Sequence, residues 1–302
     1  MSIRFDNRVA IVTGGGAGLG RSHALGLAAR GAKVVVNDLG ASVDGSGASE
    51  SAAERVVEEI RAAGGEAMAH GADVSNEEQV ADMVARARDT WGRVDIVVNN
   101  AGILRDKSFG KMTMADFRKV VDVHLIGSAT VTHACWPLMR EQQYGRIVLT
   151  SSSSGLCGNF GQANYGAAKA AMMGLMNVLH LEGARDNIRV NTLAPTAATR
   201  MTESLMPEDA LALLQPETIT PGLLYLVSED APSRVILGAG AGAFAVTKVY
   251  ETLGATLTGE ELTAEGSRPP LAGSRTPRGR RNLPRPLPRR RNTPAMPPKR
   301  AA

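Results

Sequence analysis

Residues 8–20, RVAIVTGGGAGLG, constrain the fold of this chain more than any other stretch. The apolar run Arg8–Thr13 is too short for a helix, and three glycines stop it at once. Such a run suits a strand buried on both faces. The glycines carry no side chain, so backbone N–H groups at the start of the next helix stay open to an anion. A strand feeding a helix through a tight, bare turn is the opening move of a parallel sheet crossed by helices.

The pattern then repeats. Lys33–Asn37, Val94–Asn99, Arg146–Thr150 and Ile188–Leu193 are further β-branched runs, and EAMAHGADV (66–74) reads as a third strand in chain order. Helical patterns separate them at Arg21–Arg30, Glu50–Ala63, Asn76–Trp91, Met114–Glu141 and Tyr165–Arg185. The expected fold is α/β, a single Rossmann-like domain whose doubly wound parallel sheet has helices on both faces.

Charge marks where that body ends. From Ser267 to Ala302 there are ten Arg and one Lys with no acid, leaving 23 basic against 30 acidic residues before it. Nine of the 15 prolines fall in the same segment, which has almost no large apolar residues. Such a composition cannot offset its ordering entropy, so residues 1–265 are expected to fold and 266–302 to form a disordered tail. The acidic body argues against nucleic-acid binding except through the tail. No apolar run approaches the roughly 18 residues of a membrane-spanning helix, and the charged N-terminus does not read as a signal peptide. Cys135 and Cys157 form neither a disulfide framework nor a metal site, and both read as small buried hydrophobes. A cytoplasmic, reducing setting is expected.

In the glycine loop, Gly14, Gly16, Gly18, Leu19 and Gly20 are placed to meet a pyrophosphate. Asp38 follows the second strand, 18 residues after Gly20. A carboxylate there accepts hydrogen bonds from a ribose 2′-OH and repels a 2′-phosphate, which favours NAD over NADP. Asp73 and Val74 end the third strand near the expected adenine, and Asn99-Asn100-Ala101-Gly102 closes the fourth. Asn100, Ala101 and Gly102 join the cofactor set, with Asn99 as a structural support.

Tyr165 and Lys169 are four residues apart on a helical stretch, so their side chains share one face, about 5–6 Å apart at Cβ. A nearby ammonium favours the phenolate and is expected to lower the tyrosine pKa toward neutrality. Ser152, at the end of a strand, is placed to hydrogen-bond a substrate oxygen in the same crevice.

Taken in order, TGGGAGLG, Asp38, NNAG, Ser152 and YGAAK (165–169) resemble the short-chain dehydrogenase/reductase family over roughly residues 5–250. The resemblance implies hydride transfer with Tyr165 as acid/base, Lys169 also holding the nicotinamide ribose, and Ser152 positioning the reacting oxygen. It also implies a homodimer or homotetramer built through the helices at 114–141 and 165–185. A narrower resemblance, to the (3R)-hydroxyacyl-CoA dehydrogenase unit of peroxisomal multifunctional enzymes of type 2, rests on VVVNDLG (34–40), NNAGILRDKSF (99–109), YGRIVLTSSSSG (144–155), GNFGQANYGAAK (158–169) and SLMPED (204–209). The insertion ASVDGSGASES after the second strand adds to it. This likeness implies NAD-linked oxidation of a (3R)-3-hydroxyacyl-CoA in fatty-acid metabolism.

Three features depart from the broad family pattern. His124 stands where most members have an Asn in the fourth helix, and is a candidate for the proton relay behind Lys169. Pro195-Thr196 replaces the common Pro-Gly, with Thr196–Met206 expected as a cover and Thr199 and Thr202 as candidates to bond the carboxamide. The basic tail is the third. His23, His70, His133 and His180 lack metal spacing and read as structural. Competing readings are a 3-oxoacyl-thioester reductase acting on an acyl carrier protein, another alcohol or steroid dehydrogenase, or a non-catalytic NAD-sensing module with a nucleic-acid-binding tail. Asp38 weighs against the first, and the complete Ser152, Tyr165 and Lys169 set against the last.

Overall fold

The computed structural model describes residues 2–47, 51–198, 208–252, 256–267 and 280–282. Its contacts divide the chain into Met1–Thr247 and Lys248–Ala302. The first unit therefore closes ahead of the 265/266 boundary that composition suggests. In the second unit, two three-residue strands at Tyr250–Thr252 and Arg280–Asn282 pair antiparallel. The rest of the Arg/Pro-rich segment beyond Ser267 lies outside the described residues.

The first unit is built on one sheet. Strands β1 (Val9–Thr13), β2 (Lys33–Asn37), β3 (Ala67–His70), β4 (Ile96–Asn99), β5 (Gly145–Thr150), β6 (Ile188–Thr196), β7 (Ile236–Gly240) and β8 (Ala243–Thr247) lie in the order β3-β2-β1-β4-β5-β6-β7-β8. All pairs are parallel except β7 with β8. The two last strands were not legible as a pattern: β7 is ILGAG, too rich in glycine and alanine to stand out, and β8 exposes most of its side chains.

Along the central strands, side chains alternate between two apolar layers. Ala10, Val12, Val34, Val36, Ile96 and Val98 face a core shared with α1 (Gly18–Ala28), α2 (Ser51–Ala62) and, later in the chain, residues 219–227. Ile11, Val35, Val97, Ile147 and Leu149 face the opposite core, completed by α3 (Glu77–Trp91) and two longer helices described below. Each such Val, Ile or Leu, fully buried, contributes roughly 1.5–3 kcal/mol. Successive strands run outward one way from β1 to β3 and the other way from β4, so the loops leaving the parallel neighbours β1 and β4 splay apart and open a crevice.

The predicted helix Met114–Glu141 is present, with an interruption. Thr113 caps α4 (Met114–Val121), its hydroxyl accepting from the Asp116 N–H and donating to the Asp116 carboxylate. Residues Asp122–Ile126 then form one π turn, in which the Gly127 N–H donates to the Asp122 carbonyl five residues back. Regular helix resumes as α5 (Gly127–Gln142). The short α6 (Ser153–Cys157) was not expected, and it leaves Cys157 exposed, unlike the buried Cys135. It is followed by α7 (Ala163–Gly183), then α8 (Glu208–Leu213) and α9 (Thr220–Leu226).

At the sheet edge away from the crevice, a polar layer fixes the strand starts. Arg146 is fully buried and donates to the carbonyls of Gly145, Asn187, Ser228 and Glu229. The Tyr144 ring lies between the guanidiniums of Arg8 and Arg146, at 3.6 and 4.1 Å. Buried Asp95 accepts from Arg8, Arg93 and the Val9 N–H.

Candidate active site

A cleft of about 600 Å³ opens where the strands end. The glycine loop forms its floor. Gly14 has φ +62°, and a Cβ there would meet the Ala101 backbone at 2.9 Å. Gly16 and Gly20 lie behind the lining: a Cβ at Gly16 would meet Asp38 Oδ2 at 2.8 Å, and one at Gly20 would run into the Gly14 carbonyl. Gly14, Gly18 and Leu19 face the cleft. At Gly14, Gly16 and Gly20 a side chain would strike the Ala101 backbone, Asp38 or the loop's own carbonyl, so the loop packs tightly enough to present backbone at the cleft, a cradle that fits a dinucleotide pyrophosphate.

Neighbouring strand ends hold the cradle in shape. Asn100 Nδ2 donates to the carbonyls of Thr13 and Gly14, at 3.0 and 3.1 Å. The Thr13 hydroxyl accepts from the N–H groups of Asn100 and Ala101, both at 3.0 Å. Thr13, which sequence reasoning left as the end of a strand, thus ties β1 to β4. Buried Asn99 turns the other way, its Nδ2 donating to Thr132 at 2.9 Å.

Asp38 stands beside the cradle with both oxygens engaged by backbone. Oδ2 accepts from the Gly16 N–H at 2.8 Å and Oδ1 from the Gly40 N–H at 2.7 Å. These bonds fix the carboxylate and leave lone pairs for a ribose diol. Asp73 and Val74 also line the cleft. Burial works to raise the Asp73 carboxyl, but bonds from the Ser75 N–H and hydroxyl, with Lys119 nearby, hold it below its ordinary value. The segment Leu39–Gly45 folds against the strand end, with the Leu104 N–H donating to the Val43 carbonyl. Thr199 and Thr202 lie outside the described residues, while Thr196 lines the cleft.

The other half of the cleft holds the reactive groups. Ser152 caps α6, its Oγ accepting from the Ser154 N–H at 3.2 Å. Tyr165 and Lys169 project from the first turns of α7. Lys169 Nζ donates to the Thr150 carbonyl at 2.7 Å, and the Ser151 hydroxyl donates to the Lys169 carbonyl at 2.7 Å, locking α7 onto the end of β5. Burial drives the Lys169 ammonium down from its ordinary 10.5 to about 7.

The Tyr165 hydroxyl departs from expectation. Burial raises its pKa above the ordinary 10, the bond with Ser152 pulls it back, and the charge of Asp106 pushes it further up. The expected lowering by Lys169 is absent because burial leaves that lysine neutral in the range where Tyr165 titrates; its Nζ lies 5.6 Å from the ring centroid.

A polar network beside Tyr165 was missed in the sequence. Gln162, three residues earlier, donates from Nε2 to Asp106 at 2.6 Å and accepts from Ser154 at 2.7 Å and Asn159 at 3.1 Å. Both partners fall in stretches that carried the family resemblance, but neither residue type announces such a role by spacing alone.

His124 occupies the π turn and is buried. Its Nε2 lies 2.8 Å from the Ile103 carbonyl and 3.1 Å from the Ile103 N–H. The shorter contact makes Nε2–H the donor and leaves the Nδ1 lone pair without a partner among the described residues. Burial, then the Lys169 charge, holds its pKa well below the ordinary 6.5, so the ring is neutral. A Cβ at Gly102 would strike this ring, which explains the glycine in NNAG. Three other histidines serve the fold: His23 meets Thr220 at 2.9 Å, with its pKa driven by burial to about 3, while His70 meets Asp82 and His180 meets Ser233.

The sequence matches the family model described as short chain dehydrogenase over residues 8–210. It is 50% identical over 254 residues to peroxisomal multifunctional enzyme type 2 of Mus musculus, a match covering 84% of this chain and 34% of the mouse protein. The solved full-length peroxisomal multifunctional enzyme type 2 from Drosophila melanogaster matches with a TM-score of 0.78 at 38% identity, over 94% of this chain and 48% of that one. A 7α-hydroxysteroid dehydrogenase solved with NADH and 7-oxo glycochenodeoxycholic acid matches with a TM-score of 0.71 at 32% identity, over 80% of this chain and 95% of that one. The chain thus spans about a third of the mouse enzyme and about half of the fly enzyme. A match from Arg8 onward through the strands that carry the cleft means that this protein belongs to the short-chain dehydrogenase family.

Proposed function

We propose that this chain is an NAD-dependent dehydrogenase interconverting a (3R)-3-hydroxyacyl-CoA and its 3-ketoacyl-CoA. The observation that carries this reading is the presence, in one cleft, of the glycine cradle with Asp38 at one end and Ser152, Tyr165 and Lys169 at the other. NAD supplies the hydride acceptor. The Ser152 hydroxyl and Tyr165 hold the substrate oxygen, and Tyr165, once deprotonated to the phenolate, would take the hydroxyl proton as the carbon gives up its hydride. Lys169 stands behind it, fixed on the Thr150 carbonyl, where it would hold the nicotinamide ribose.

Asp38 favours NAD, since a fixed carboxylate at the ribose repels a 2′-phosphate. Gly14, Gly18, Leu19, Asp73, Val74, Ala101 and Gly102 complete the cofactor side, with Gly16, Gly20 and Asn100 shaping it. Thr199 remains a candidate for the carboxamide. His124 is a positioning residue that fixes Ile103 and buttresses Tyr165. The acyl-CoA class rests on the stretches from VVVNDLG to GNFGQANYGAAK quoted above.

Among the described residues, no helix is long and apolar enough to cross a membrane. We place the chain in the cytoplasm; the peroxisomal names of its relatives make that organelle the alternative, which cell fractionation separates. A second copy is expected to pack on the outer faces of α5 and α7, where Val178 and Leu181 are exposed.

NADH formation from a panel of (3R)- and (3S)-hydroxyacyl-CoA esters, beside plain alcohols and steroids, tests this reading. Turnover confined to (3R) esters is expected. Turnover of alcohols or steroids with no acyl-CoA oxidised would overturn it, and NADPH-driven reduction of a carrier-protein thioester alone would select the synthetic reductase instead.

A further inference from the structure

One cationic side chain on the cofactor half of the cleft is not accounted for by the cradle. Arg21 follows Gly20 in α1 and lines the same cleft as Asp38. Its guanidinium makes a two-point bond to Glu59 of α2, with Nε 3.1 Å from Oε1 and Nη2 paired to Oε2. The two side chains are 39% and 42% exposed, so solvent screens the pair and its net contribution to stability is small. The charge of Glu217, also at the cleft, adds to the hold on Arg21.

The direction of this bond matters. Ala52, near the start of α2, lies against Gly16 beside Asp38: a Cβ on Gly16 would meet the Ala52 Cβ at 2.8 Å. Glu59 is seven residues further along α2, about 10 Å down the helix axis. Arg21 is therefore drawn away from the end of α2 that adjoins the ribose carboxylate. A free guanidinium at that end would pair a 2′-phosphate in the fork geometry arginine prefers.

We propose that Glu59 is a second determinant of cofactor selectivity: by holding Arg21 down the α1–α2 groove, it keeps a phosphate-binding cation away from the ribose site that Asp38 guards. Asp38 repels the 2′-phosphate, and Glu59 withholds the group that would attract it.

Binding of NADH and NADPH to the full chain, followed by fluorescence without substrate, tests this independently of which alcohol the enzyme oxidises. Asp38→Ala/Glu59→Ala is expected to bind NADPH about tenfold more tightly than Asp38→Ala, with NADH binding equal in the two. Adding Arg21→Ala should abolish the gain. Equal NADPH binding with and without Glu59, or a gain that persists without Arg21, would overturn the proposal. Should Asp38→Ala fold poorly, Glu59→Ala alone decides it: the ratio of NADH to NADPH dissociation constants must move toward NADPH, and an unchanged ratio refutes the idea.

Discussion

His124 and Tyr165 meet edge to face, with ring centroids 5.2 Å apart and planes at 88°. The same imidazole bonds Ile103, just beyond the NNAG loop, so one residue braces both the cofactor loop and the proton-transferring ring. His124→Asn keeps a donor for the Ile103 carbonyl and is expected to lower kcat less than tenfold. His124→Leu leaves that buried carbonyl unpaired, a loss of about 1–3 kcal/mol. Thermal melting and kcat measured on both variants check this. An equally deep loss of kcat in both, with melting unchanged, would mean that the imidazole moves protons itself.

Tyr165→Phe removes the group that exchanges the proton and nothing else of size. Turnover should fall by about 10²–10⁴, while NADH binding and melting temperature stay close to wild type. A variant keeping most of its activity would place the acid/base elsewhere.

Lys169 sets the pH behaviour. Its folded pKa is depressed to about 7 from 10.5, so the unfolded chain binds the extra proton between those values. Its burial therefore weighs fully against the fold below about pH 7, and the penalty disappears as pH rises toward 10.5. Melting temperature should rise across that window relative to Lys169→Met, whose profile should be flatter. Because Tyr165 is raised, oxidation should also quicken toward alkaline pH until its phenolate is formed. A melting difference that does not change with pH would show that Lys169 is not buried as described.

Gly16→Ala places a methyl at 2.8 Å from the Asp38 carboxylate. The Gly16 N–H bond to Asp38 should be lost or bent, and NADH binding should weaken about tenfold or more, consistent with a lost bond to a charged group. Titration of NADH fluorescence measures this directly. Unaltered binding would show that the loop relaxes around the methyl without disturbing the carboxylate.

Much of this was legible because β1, β2 and β4 of the cofactor half are short β-branched runs ended by glycine or asparagine. Asp38, NNAG, Tyr165 and Lys169 could be placed in one crevice from chain order alone. What escaped depends on partners far apart in sequence. Thr13 looks like an ordinary strand residue until Asn100 and Ala101 reach it, and Gln162 joins Asp106 across 56 positions. The pKa of Tyr165 was misjudged because spacing shows that a lysine is near but not that it is buried. The strand β8 carries no buried periodicity to betray it.

The π turn at Asp122–Ile126 has a consequence for how the gene can vary. It stores one residue beyond a regular helix, so deleting any one of these five would repair the local hydrogen-bond ladder. The repair would leave α4 and α5 in the relative orientation they now hold, because the extra residue is absorbed within the turn. What it would remove is the widened turn that carries His124 to Ile103. A deletion elsewhere in α5 has no such store to draw on and would rotate everything beyond it by about 100°. In a library of single-codon deletions, folded protein should therefore survive better for positions 122–126 than for the rest of α5, with turnover reporting what the widened turn contributes.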